Sequence, residues 1–281
     1  MFMTSIGSER YLEGRVALVT GAARPGGIGR ATALRLARLG AAVACVDLGR
    51  PPDHAPDHGV GSLDDLHETV DLVQSLGARA IGVVADVSDV AQIDAAAARA
   101  HADLGPVWAC CAIAGGVGFG NGIVPLLDLP EPAWDWAVDV NLKGVWATAR
   151  ACVPQMIAAG EGGRLITITS AAGLRGARHF GAYAAAKAGV IALTRSFALE
   201  LGRWGITANS VAPGMIDTQA SQPVRERLAA RDRLDEYRDE IPLGRFGTAD
   251  EIAGAIAFLC GPDAAYVTGD VLNLTGGQVM S

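Results

Sequence analysis

The chain has 281 residues, half of them hydrophobic and 19% charged, enough apolar material for one large α/β domain or two small ones. Its net charge is −7 with acids and bases interspersed, which argues against a nucleic-acid-binding surface. No run approaches the roughly 18 apolar residues of a membrane span and the first dozen residues lack the apolar stretch of a secretion signal, so a cytoplasmic protein is expected.

Residues 1–13 read as a tail. Residues 15–20, R-V-A-L-V-T, are a short apolar run that stops at Gly21, the pattern of a strand buried on both faces. The turn G-A-A-R-P-G-G-I-G then carries glycines 21, 26, 27 and 29 into the periodic run 31–39, offering a helix N-terminus to a phosphate. The strand at 42–46 ends in Asp47, 18 residues past Gly29. A carboxylate there accepts hydrogen bonds from an adenosine ribose and repels a 2′-phosphate. Residues 48–61, rich in Pro, Asp, His and Gly, form a loop insertion, and His54, His58, Asp53 and Asp57 in it read as solvated side chains, with no metal expected. Ser62 and Asp65 make a capping box for a helix that Gly77 closes.

Residues 80–84 are the third strand, leading to Asp86, whose carboxylate could reach an adenine amino group; Ser88 begins another helix. The fourth strand, 107–113, exits through Ala114-Gly115-Gly116, where a doubly wound sheet opens its ligand crevice. Residues 132–159 read as one long helix with a kink expected at Pro154. Asn141 stands inside it, a poor position for asparagine unless its amide has a local partner or a role. A fifth strand leads to Ser170, a helix runs from Tyr183 to about Trp204, and a sixth strand at 207–212 ends at Pro213-Gly214. Residues 218–240 alternate Arg with Asp and Glu and read as a solvated helix or helix pair, a lid over the crevice. Thr248 and Glu251 form a further capping box, and 271–274 is the seventh strand. With no repeat or linker, the whole chain is expected to be one three-layer, doubly wound α/β domain with a mostly parallel seven-stranded sheet.

Tyr183 and Lys187 are four apart in an Ala-rich run and share a helix face. An ammonium beside a phenol favours the phenolate, and a hydroxyl such as that of Ser170 could hold a substrate oxygen while the proton moves. The chain uses arginine 21 times but lysine only at 143 and 187, and a compact ammonium suits a site beside a phenol where a guanidinium does not. The five cysteines, at 45, 110, 111, 152 and 260, form no C-x-x-C pair and read as buried thiols in a reducing compartment.

These motifs, with V-N-L-K-G at 140–144, N-S-V-A-P-G at 209–214 and V-T-G…G-G at 267–277, resemble the single-domain short-chain dehydrogenase/reductase family from about Gly14 to Gly277. The resemblance implies a Rossmann-type fold in which Tyr183 is the acid/base and Lys187 lowers its pKa and binds the nicotinamide ribose. Ser170 would orient the reacting oxygen, and Asn141 would hold a water of the proton relay. Gly21, Gly27, Ile28 and Gly29 would wrap the pyrophosphate, Asp47 the ribose, and Asp86 with Val87 the adenine. The segment 213–218, with Pro213, Gly214, Ile216 and Thr218, would hold the carboxamide end, beside Ala114 and Gly115. Arg24 could also contact the nucleotide, but Asp47 favours NAD over NADP. A homotetramer is implied as well.

Two departures stand out. Five residues separate Gly21 from Gly27 where the family has three, and Ile113-Ala114-Gly115 replaces the family's Asn-Ala-Gly, removing an amide expected to brace the crevice floor. The insertion after Asp47, followed by S-L-D-D-L-H-E-T-V, also resembles the carveol-dehydrogenase-like branch, which the glycine turn fits poorly.

The pocket residues expected around the reacting carbon are Val117, Ala172, Phe180 and Met215, with Ala171 and Gly173, and His179 as the only titratable neighbour. They point to a neutral, apolar, mid-sized secondary alcohol or its ketone. Two alternatives stay open: a 3-oxoacyl-carrier-protein reductase receiving its acidic carrier on Arg175, Arg178 and the lid arginines, and a catalytically silent nucleotide-binding scaffold.

Overall fold

The structure, a computed structural model, describes residues 10–50, 60–117 and 123–280. Its strands are β1 (Val16–Thr20), β2 (Ala42–Asp47), β3 (Ala80–Val84), β4 (Val107–Ala112), β5 (Gly163–Ile168), β6 (Ile206–Pro213) and β7 (Val271–Leu274). They pair in the order β3-β2-β1-β4-β5-β6-β7, and every pairing is parallel, so the sheet is wholly rather than mostly parallel. Chain order reverses between β1 and β4, which opens the crevice at their C-terminal ends.

Among the described residues the α-helices are α1 (Ile28–Arg38), α2 (Leu63–Ser75), α3 (Val90–Leu104), α4 (Glu131–Val138), α5 (Gly144–Ala159), α6 (Ala171–Arg175), α7 (Gly181–Leu201), α8 (Gln222–Ala229), α9 (Leu234–Asp239) and α10 (Ala249–Cys260). Strands β1, β4, β5 and β6 are buried almost throughout because helices cover both faces. Leu36 of α1, Leu66 and Val73 of α2, and Ile252 and Ile256 of α10 form the core on one side. Ile93 of α3, Cys152 and Met156 of α5, and Ala198 of α7 form it on the other. All five cysteines are buried and free.

The capping boxes at Ser62/Asp65 and Thr248/Glu251 both form. The helix expected to begin at Ser88 instead takes Asp89 as its N-cap, because that carboxylate accepts from both Ala91 N and Gln92 N. The long helix expected over 132–159 is two helices joined by a π-turn, Asp139–Lys143, in which Gly144 N donates to Asp139 O five residues back. The interruption lies at Asn141, and Pro154 is accommodated inside α5. Residues 218–240, expected as a lid, form a helix pair, α8 and α9, in which three arginines have acids near them in sequence: Arg225 with Asp217, Arg233 with Glu236 and Arg238 with Asp235.

Candidate active site

The glycine turn is held from behind by side chains of its neighbours. Ala23 N donates to Asp47 Oδ2 and Leu48 N to Asp47 Oδ1, each at 2.8 Å. The Ala23 carbonyl accepts from the buried Arg30 guanidinium, at 2.6 and 3.0 Å, and Thr69 Oγ1 donates to Ala22 O. The two extra residues close a turn of their own: Gly27 N donates to Arg24 O across Pro25-Gly26, and Gly26 has φ +65°. Proline followed by a glycine of positive φ is the pair a type II turn requires, so the insertion is a compact turn of its own within the glycine turn. A Cβ on Gly29 would overlap the Gly21 carbonyl oxygen, and one on Gly21 would stand 3.0 Å from Ala114 Cα. Gly27, the N-cap of α1, supplies no side-chain cap, and the first turn holds no acid, which leaves its N–H groups open to an anion.

Gly21, Arg24, Gly27, Ile28, Gly29, Asp47, Asp86, Val87, Ala114, Gly115 and Thr218 together line a cavity of about 230 Å3. Burial pushes the Asp47 carboxyl up, opposed by the backbone N–H groups of Ala23, Leu48 and Gly49 and by Arg24. Arg24 is itself pushed down by burial, and its Nε is buried without a partner. Asp86 Oδ1 accepts from Ser88 N and Oγ. Val60 and Gly61, Trp136 and Val140 also line this cavity and were missed in the sequence. Gly61 closes onto the glycine turn so tightly that a Cβ there would stand 2.8 Å from Arg24 N, a long-range approach with no local signal. The candidate ligands His54, His58, Asp53 and Asp57 lie outside the described residues; among the described ones no group of three or more side chains could hold a metal.

A second cavity, of about 490 Å3, adjoins the first, and Ile28, Ile113, Gly115, Thr218 and Ala220 line both. Ser170, Tyr183, Lys187, Pro213, Gly214 and Ile216 line it, as do the expected substrate neighbours Val117, Ala172, Phe180 and Met215. Ser170 is the N-cap of α6, its Oγ accepting from Ala172 N at 3.2 Å. Lys187 is fixed at both ends: its Nζ donates to Ile168 O at 2.8 Å, and Thr169 Oγ1 donates to Lys187 O at 2.6 Å. The ammonium lies 5.7 Å from the centre of the Tyr183 ring. Burial pushes the Tyr183 phenol up, and the hydrogen bond with Ser170 pulls it back. Burial also lowers Lys187, to about 7. The group that opposes the rise at Tyr183 is therefore the Ser170 hydroxyl, where the ammonium had been expected to do so.

Asn141 lines neither cavity. Its Oδ1 accepts from Gly116 N and its Nδ2 donates to Gly116 O and to Ala137 O, all at 3.0 Å. The crevice floor is braced despite the missing family amide, because Thr20 Oγ1 accepts from Ile113 N and Ala114 N. His179, expected at the reacting carbon, is not in the cavity wall, whereas Arg175 and Arg178 are.

Two cavities sharing a wall, one shaped by a glycine turn beneath an acid and one with a phenol beside a hydroxyl, define a dinucleotide-dependent oxidoreductase. Comparison with known proteins agrees. A family model described as enoyl-(acyl carrier protein) reductase matches residues 21–278. The (−)-trans-carveol dehydrogenase of Rhodococcus erythropolis is 36% identical, covering 96% of this chain and 99% of that one. The cyclohexanol dehydrogenase of Rhodococcus sp. strain TK6 is 37% identical, covering 96% and 98%. The crystal structure of carveol dehydrogenase from Mycobacterium avium in complex with NAD superposes with a TM-score of 0.88 at 32% identity, covering 95% and 98%. The chain belongs to the short-chain dehydrogenase/reductase family and is an alcohol dehydrogenase of that family, acting on CH–OH groups.

Proposed function

We propose that this enzyme oxidises a neutral, mid-sized, apolar secondary alcohol to its ketone, and reduces the ketone, with NAD. The observation that carries the reading is the large, mainly aliphatic cavity that holds Ser170 and Tyr183 and shares a wall with the nucleotide cavity. The glycine cradle and Asp47 fit NAD: Gly21, Gly27, Ile28 and Gly29 would hold its pyrophosphate, Asp47 its ribose hydroxyls, and Asp86 with Val87 its adenine. When bound, NAD accepts the hydride from the carbinol carbon.

The chain's own residues handle the proton. Ser170 Oγ hydrogen-bonds the substrate oxygen and Tyr183 Oη, so the two hydroxyls address one atom. Tyr183 Oη takes the hydroxyl proton as the C–O bond becomes a carbonyl, and returns it in reduction. Lys187 stands behind the phenol on the Ile168 carbonyl, and Asn141 holds the backbone of Gly116 beside the reacting centre. Steady-state NAD reduction across a panel of neutral secondary alcohols is the test; a panel with no turnover above the rate without substrate would overturn the reading.

The chain is read as a homotetramer working in the cytoplasm. Apolar side chains exposed on two faces, Trp146 of α5 with Leu199 of α7, and Phe258 of α10 with Tyr266, support the assembly, and the buried free thiols fit a reducing compartment. Light scattering at micromolar concentration tests it, and a monomer mass would refute it.

A further inference from the structure

The outer part of the substrate cavity carries a charge that a neutral alcohol does not use. Three charged residues line that cavity among those described, Arg175, Arg178 and Lys187, and all are cationic; no aspartate or glutamate lines it. Lys187 is occupied by the Ile168 carbonyl at the catalytic end. Arg175 and Arg178 lie on the exposed rim, and among the described residues neither pairs with a carboxylate. Four arginines of residues 218–240 are engaged: Arg225 pairs with Asp217, Arg233 with Glu236 and Arg238 with Asp235, and Arg227 donates to Ile123 O.

Arg175 is tied through one short helix to the backbone of the residue that carries the reacting hydroxyl. Arg175 is the last residue of α6, whose N-cap is Ser170, so five residues of helix, roughly 7 Å of rise, separate them along the axis. The same cavity wall carries aliphatic and aromatic side chains, including Ala172, Phe180 and Met215. An arginine fork matches a carboxylate in shape as well as charge.

Resting on the reading of the site as an alcohol dehydrogenase, we propose that it also takes a second substrate class: secondary alcohols whose apolar body ends in a carboxylate that reaches the cavity rim. Arg175 and Arg178 are the residues that select it. Neutral alcohols fill the inner cavity alone, and the acidic ones add the rim contacts.

The test compares 3-(4-hydroxycyclohexyl)propanoate with its methyl ester as substrates of the NAD-loaded enzyme. At low ionic strength kcat/KM for the acid is expected to exceed that for the ester by about three- to tenfold, the return of one or two exposed arginine–carboxylate pairs. The ratio should fall toward one in 0.5 M salt and in the R175Q/R178Q variant. A wild-type ratio of one or below, or a ratio that survives both substitutions, overturns the proposal. Oxidation of the ester without preference for the acid sinks this inference alone. If neither compound turns over, the panel of neutral alcohols decides the dehydrogenase reading, and equilibrium binding of acid against ester with NAD present decides the arginine claim by the same ratio. The CoA thioester of the same acid is the third arm; a gain larger than the free acid's would place the anion on a carrier's phosphates and refute the carboxylate assignment.

Discussion

Asn141 grips Gly116 with both ends of its amide, accepting from Gly116 N and donating to Gly116 O, each at 3.0 Å, and its second N–H caps Ala137 O. That last bond satisfies a carbonyl of the helix turn that the π-turn disrupts, so the irregular backbone and the buried side chain stabilise each other. Asn141→Ala leaves these backbone groups without the partner they have, buried as the residue is. The expected loss is about 1–3 kcal/mol of stability, read as a lower urea midpoint. Turnover should fall with it, because the crevice floor loses its brace. Asn141→Asp keeps only the acceptor for Gly116 N and should lie between alanine and wild type in stability.

The strands and most helices were legible in the sequence because their cues are local. Buried parallel strands are continuous apolar runs, and the two capping boxes sit at fixed spacings. The π-turn was not legible, since an inserted residue shifts the apolar stripe by only part of a turn and both flanks stay helical. Asn141 itself stands out as a poor helix-interior residue, but its partner Gly116 lies 25 residues away in sequence. The same holds for Thr20, which replaces the missing family amide from the end of β1, and for Arg30, which pins the glycine turn to α2. Arg175 and Arg178 do stand beside the crevice, as a basic surface there requires, but α6 is too short for a period, so nothing local tells that they line the cavity wall and that His179 does not.

Tyr183→Phe is expected to cut turnover by at least about a hundredfold while NAD affinity changes little, since only the proton-transfer group is removed. In the wild type the phenol is pushed up by burial, so kcat/KM for alcohol oxidation should rise as the medium becomes more alkaline and the phenolate fraction grows. Ser170→Ala removes the hydrogen bond that opposes this rise and should move the profile further to the alkaline side. A Phe variant retaining more than roughly a hundredth of wild-type activity would refute the acid/base role.

The cofactor preference turns on two side chains of one cavity. Asp47 already accepts from Ala23 N and Leu48 N, but a carboxylate has about four lone-pair sites and can still take ribose hydroxyls. Arg24 faces the same cavity with an orphaned Nε. NAD should bind more tightly than NADP to the wild type, because a phosphate beside Asp47 places like charges together in a buried site. Asp47→Ser should weaken NAD and narrow or reverse the gap, with Arg24 then free to meet the 2′-phosphate. Fluorescence titration with both reduced cofactors checks this, and a wild type that prefers NADPH would contradict it.

Lys187 sets a stability cost against function. It is 2% exposed, and burial lowers it from an ordinary lysine value of 10.5 to about 7. Below about pH 7 it is charged in both the folded and the unfolded chain, and the folded state carries the full cost of a buried ammonium. Between about 7 and 10.5 the unfolded chain binds the proton and the folded one does not, so stability rises with pH across that window. Above 10.5 both states are neutral and the cost is gone. Lys187→Met removes the charge but leaves the Ile168 carbonyl without its donor, an opposing loss of about 1 kcal/mol. The net effect on the cofactor-free protein at pH 6 is expected to be a gain of about 1–4 kcal/mol, with activity abolished. The gain should shrink as pH rises from 7 toward 10.5 and change sign near the top, where only the lost hydrogen bond remains. Urea unfolding of both proteins at pH 6, 8 and 10 reads the difference directly. A variant that is less stable than wild type at pH 6, or a difference that does not vary with pH, would show that the ammonium is not held against its own desolvation.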